Sequence, residues 1–168
     1  MKKVVFILMV CGLVLLAFTA TASAASKARP FQGYVTGQVW FTYDLASPSP
    51  LDLWSDSSGV GDVSHLGATV MTSRHPTPTG DAITGGNMKL VVANGDEVWA
   101  TYSGSAPFPV IGVPSTIVAH TAFAIYGGTG RFVDASGGGD MTGYVQFPGE
   151  LNPGPWPVVW TWRCTISY

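Results

Sequence analysis

The chain has 168 residues, with 21 glycines, 12 prolines and only 11% charged residues. Eight Lys and Arg against ten Asp and Glu argue against a basic nucleic-acid surface, and a charge-poor chain rich in Gly and Pro is unsuited to long helices or coiled coils. The length suits one ordinary domain.

In chain order, the first element is an export signal. Lys2 and Lys3 precede an apolar run from Val4 to Phe18, which Ala22-Ser23-Ala24 closes. A positive start, an apolar stretch and a small-x-small site predict a cleavable signal peptide over residues 1–24. The run is shorter than the roughly 20 residues of a bilayer span, so the mature protein is expected to be secreted or periplasmic and free of the membrane. Cleavage removes Cys11 and leaves Cys164 alone, so no internal disulfide is expected and a packed core must hold the fold. Residues 25–32 read as a flexible leader, and 33–168 as a single β domain.

Strands are expected at about 33–44, 65–74, 87–93, 96–103, 115–126, 131–134, 140–147 and 158–168. They are short apolar or alternating runs separated by Gly, Pro, Asn, Asp and Ser. Residues 47–61, rich in Ser, Pro and Asp, read as a long loop that covers one end of the sheet. Asn94-Gly95 predicts a tight hairpin with positive φ at both central positions. The strand at 115–126 is apolar on both faces, which calls for a second covering surface such as a packed loop or a subunit interface. In the last strand Val158, Trp160, Trp162, Cys164, Ile166 and Tyr168 alternate with smaller or polar residues, so that face is buried. Cys164 therefore points inward as an inert thiol. The fold class is all-β: a single antiparallel eight-stranded β-barrel, with a two-sheet sandwich as the alternative.

The segment Tyr126-Gly127-Gly128-Thr129-Gly130-Arg131-Phe132, followed by Ala135-Ser136-Gly137, resembles the glycine-rich turn of plant dirigent proteins and of the allene oxide cyclase family. Ser64-His65-Leu66-Gly67, Asn94-Gly95-Asp96 and Thr165-Ile166-Ser167-Tyr168 extend the resemblance to small exported bacterial proteins of the allene oxide cyclase-like barrel group. The resemblance implies an eight-stranded antiparallel barrel, usually oligomeric, with a cavity for an apolar ligand. It also implies, as one activity, steering the cyclisation or coupling of a reactive intermediate. No catalytic residue of either family matches a motif here.

On physical grounds Gly127, Gly128 and Gly130 form a structural turn, since glycine tolerates positive φ and close backbone approach. No Gly-Lys-Ser/Thr ending or following helix makes it a phosphate loop. Arg131 is expected to pair with Asp134 or Asp96, or to enter the cavity. His65, His75 and His120 show no ligand spacing, so neither a metal nor another cofactor is expected. His120, amid an apolar strand, reads as a hydrogen-bonded core histidine or as a cavity-lining polar group. Asp96 and Glu97 face opposite sides of a strand and cannot act as a pair. No Gly-x-Ser-x-Gly elbow marks a hydrolase. Trp160 and Trp162 read as core, while Trp54 and Trp156 fall in loops where they can meet a ligand.

The leading functional expectation is therefore an exported barrel that binds a small apolar or aromatic molecule without catalysis, with His120, Arg131, Trp54 and Trp156 as candidate ligand contacts. The alternatives are the cyclase-like or dirigent-like activity that the resemblance implies, and a structural or surface module, for instance a homo-oligomer. A ligand binder needs a polar-lined pocket, whereas a surface module needs a filled barrel and an apolar patch outside.

Overall fold

The computed structural model describes residues 27–43, 45, 52–77 and 81–168. The expected signal peptide at 1–24 lies outside the described residues. The chain forms eight antiparallel strands in meander order, and the last closes on the first: β1 Arg29–Tyr43, β2 Leu53–Val63, β3 Gly67–Thr77, β4 Ala82–Val92, β5 Glu97–Ser105, β6 Ser115–Gly128, β7 Ser136–Phe147 and β8 Trp156–Ser167. The architecture is a closed barrel and not a sandwich. The pairing path that leaves β1 at Val39 runs through Ser57, Ser73, Met88, Ala100, Ile125, Gly137 and Ile166 and rejoins β1 at Arg29, a shear of ten residues. An eight-stranded barrel of this kind is just wide enough for its own side chains to fill.

Period-two alternation sends one set of side chains inward on every strand. Phe31, Val35 and Val39 of β1, Phe123 and Ile125 of β6, and Trp156, Val158, Trp160, Trp162 and Ile166 of β8 form the core with Met71, Leu90, Val98 and Met141. The half-buried Cys164 points the same way. Its thiol donates to the Phe31 carbonyl at 3.3 Å, and burial pushes its pKa up to about 12, so it stays a protonated thiol.

Three segments differ from the sequence expectations. Residues 53–63, read as part of a loop, are strand β2. Its inward positions are Ser55, Ser57, Gly59, Gly61 and Val63, so it has almost no apolar alternation, and full-length pairing with both β1 and β3 holds it in place. Residues 131–134, read as a strand, belong to a turn that contains a short 3-10 helix, Gly130–Phe132, whose Phe132 plugs the barrel. Strand β1 begins at Arg29, inside the segment read as a leader, because Phe31 is drawn into the core and pairs with Cys164.

The two ends of the barrel are unlike. One is closed by short turns. At the first, residues 64–66, Leu66 is buried, and His65 adopts φ +67°. In the second, only Gly95 of Asn94-Gly95 takes positive φ, at +88°. Gly95 N–H donates to Val92 O (2.9 Å) and Val92 N–H to Asp96 O (3.0 Å), a three-residue loop ending in a left-handed glycine rather than the expected two-residue turn. The third is the glycine-rich segment. The opposite end carries the connections 44–52, 78–81, 106–114 and 148–155.

Candidate functional site

The interior beneath the long connections is where polar chemistry collects. β2 contributes Ser55 and Ser57, β3 contributes Ser73 and His75, β5 contributes Tyr102, and β6 contributes Thr121; all six are buried. The local cause is strand phase. On β3 the charged Arg74 faces water, which turns Ser73 and His75 inward, and on β5 Thr101 and Ser103 do the same for Tyr102. His75 Nδ1 lies 2.8 Å from the Tyr102 hydroxyl, with the rings edge-on at 5.6 Å. The Ser73 side chain sits beside this hydroxyl and favours its ionised form, against the larger effect of burial.

Burial sets the protonation of this chain. Removal from water lowers the His75 pKa to about 4, and burial is the main reason Tyr102 rises to about 12. At neutral pH both are therefore uncharged. A neutral imidazole accepts the Tyr102 proton at Nδ1 and keeps its own hydrogen on Nε2. Thr121 Oγ1 donates to the Met141 carbonyl at 3.1 Å. By contrast, Ser57 Oγ, Thr77 Oγ1, Trp160 Nε1 and Trp162 Nε1 are buried with no partner among the described residues. Such orphaned groups are uncommon in folded proteins.

An aromatic rim covers the cluster from the side of the long connections. The Trp156 ring packs against Phe41 at 4.5 Å and Phe147 at 5.2 Å, and its indole N–H donates to Asn152 Oδ1 at 2.7 Å. Together these residues form an aromatic cap above the buried polar groups, with no charged side chain on the inner wall among the described residues. Among the described residues, the side-chain hydrogen bond shown for His75 goes to Tyr102 and not to a carboxylate that would make it a strong base.

The four residues singled out from the sequence are not brought together. His120 is exposed on the outer wall of β6, opposite Thr142 and Ser105, and is neither core nor cavity lining. The bulk of Phe123 and Ile125 fixes the inward phase of that strand and leaves His120 on the other face. Arg131 sits at the turn end, outside the barrel. Its guanidinium donates to His65 O at 2.9 Å and lies 4.6 Å from the Phe132 ring centroid, and only its backbone N–H approaches Asp96, at 3.4 Å. Trp54 is on the outer face of β2 under the Arg74 guanidinium, 4.6 Å from the ring. Trp156 alone lies at the candidate site, and it opens β8 rather than sitting in a loop.

Of the glycines expected to form one turn, Gly127 and Gly128 instead end strand β6, paired with Trp99 and Val98, and only Gly130 lies in the turn that follows. Thr129 Oγ1 accepts Glu97 N–H, Thr129 N–H donates to Glu97 O (both 2.9 Å), and Gly130 takes φ +54°. Among the described residues no group of three or more His, Cys, Asp and Glu is placed to hold a metal ion.

The outer wall offers two shallow grooves. One, of about 310 Å³, runs past Asp56, Arg74, Asn87, Lys89, Trp99 and Tyr126. Its charges are paired within the wall, Lys89 with Glu97 at 3.1 Å and Arg74 with Asp56 at 3.6 Å. The other, of about 380 Å³, is apolar and centred on Val60, Val70 and Val91. No family model, curated protein or solved structure matches the chain.

Proposed function

We propose that the chain is an exported β-barrel that binds a small apolar or aromatic molecule through the interior below the long connections, and that it holds this molecule without transforming it. The observation that carries the reading is the buried Tyr102–His75 hydrogen bond, with Ser73 beside it, set under the rim of Phe41, Phe147 and Trp156. Barrel mouths are a common place for ligands, and an apolar wall with a few placed polar groups is their usual lining. The neutral state of His75 and Tyr102 favours binding over acid–base turnover near neutral pH. The test is native mass spectrometry of the mature protein after incubation in an extract of its own cells. A stoichiometric bound small molecule, lost in a Trp156→Ala variant that keeps its thermal transition, is the expected result. A protein that stays empty in the extract overturns the reading.

A second reading has its own observation. Val118, Tyr144, Val159, Thr36, Val60, Val70 and Val91 stand opposite one another across successive strands and form one mostly apolar row on the outer wall. Val60 and Tyr144 are 60% and 40% exposed. A row of this kind suits a second copy of the chain. Sedimentation of the wild type beside Val60→Lys decides it: an oligomer that the lysine dissociates supports the reading, and a monomeric wild type removes it.

A further inference from the structure

We infer that the interior site receives the oxygen of an uncharged hydrogen-bond acceptor, a ketone, aldehyde or ether borne on an apolar or aromatic body. The inference rests on the ligand-binding reading above and names the class of molecule for that site.

Following the pairings around the wall and allowing for the shear, Ser57, Ser73, Tyr102, Thr121 and Trp160 fall at one level of the barrel. Glycines make room for the two rings of this layer. A Cβ on Gly86 would come within 2.6 Å of the Tyr102 ring, and one on Gly143 would strike the Trp160 ring. Within the layer Ser57 Oγ and Trp160 Nε1 have no partner among the described residues, and neither does Trp162 Nε1, the next inward position of β8.

The chemistry of these orphans is one-sided. An indole N–H can only donate, and the Ser57 hydroxyl can donate or accept. The Tyr102 hydroxyl is engaged with His75, and Thr121 with Met141 O. What the layer lacks is an acceptor. With no charged side chain on the inner wall among the described residues, an anion would be buried without a counter-charge and a cation without a carboxylate. A neutral carbonyl or ether oxygen satisfies the donors at no such cost, while its apolar body can pack beneath Phe41, Phe147 and Trp156.

The test uses acetophenone and α-methylstyrene, which share a shape and differ in carrying C=O or C=CH₂. Binding to the mature protein is followed in the indole N–H region of a proton–nitrogen NMR spectrum, with Trp160 assigned through Trp160→Phe. The ketone is expected to bind about tenfold more tightly than the alkene, the worth of one buried hydrogen bond, and to move the Trp160 Nε1–H signal. Ser57→Ala, which changes little in shape, should weaken the ketone severalfold and leave the alkene unchanged. Equal affinity for the two probes, ketone binding that leaves Trp160 unmoved, or a water between Ser57 and Trp160 that the ketone does not displace would each overturn the acceptor assignment while the binding site stands. If neither probe binds, the ligand-binding reading falls with it.

Discussion

The barrel is closed at its turn end by Phe31, Leu66, Phe132 and Ile166, with Tyr168 edge-on to Phe132 at 4.8 Å. Below its long connections, the interior instead holds serines, a threonine, a histidine and a tyrosine, and among the described residues Ser57 Oγ, Thr77 Oγ1, Trp160 Nε1 and Trp162 Nε1 are buried without a partner. The same wall, the same strands and the same pairing rules serve both ends. The division teaches that one end is optimised for burial and the other is not. Apolar surface removed from water stabilises in proportion to its area, whereas buried polar groups do little more than offset their own desolvation even when paired. A molecule that kept an unsatisfied polar layer for no purpose would gain stability by replacing it.

The comparison is broken or sharpened by four measurements. Phe132→Ala removes the plug of the turn end and should cost about 3–5 kcal/mol in urea unfolding; a loss near zero would mean the turn end is not the anchor. The pH profile probes the other end. Burial holds His75 neutral, with its pKa lowered to about 4 from the 6.5 of an exposed histidine, so below pH 6.5 the unfolded chain binds the extra proton first. Stability should therefore be flat above pH 6.5 and decline as pH falls toward 4, by about 2–3 kcal/mol at pH 4.5. His75→Gln should flatten this part of the profile, and an unchanged slope would show that His75 is not the titrating group.

Smaller effects follow from the surface residues. Arg131→Ala loses a hydrogen bond to His65 O and the stack on Phe132, worth about 1 kcal/mol by thermal unfolding. His120→Ala, on the open outer wall, should change stability by less than about 0.5 kcal/mol. A larger loss at His120 than at Arg131 would reverse the placement of the two residues.

Where bulk alternates, the strand phase is plain in the sequence. β8 could be assigned because Trp160, Trp162 and Ile166 recur at period two against Thr161, Arg163 and Thr165. β2 was hidden for the opposite reason. Its inner face is serine and glycine, and no local signal separates it from a polar loop; pairing on both sides decides its state, and that is a property of the closed barrel. His120 misled because alanines, a valine and a tyrosine share its face of β6, so neither side looks solvated until ring size is weighed. His75 was legible and overlooked. Arg74 and Thr72 mark the wet face of β3, so Met71, Ser73 and His75 had to share the dry one. Tyr102 follows from Thr101 and Ser103 in the same way. Their bond could not be read from the sequence, since it joins residues 27 positions apart through a strand that lies between them.

The pairing of β1 with β8 has a consequence for how the domain is made. Neighbouring strands zip up as local hairpins, but the seam between Arg29 and Ile166 joins the two extremes of the domain, and it cannot form before the last strand is available. Until then Phe31, Val35 and Val39 have no β8 partner, and both edges of the open sheet, β1 and β7, are unpaired. Contacts so distant in sequence make closure slow. The waiting species has open edges that invite pairing with other chains, whereas the finished circuit has none.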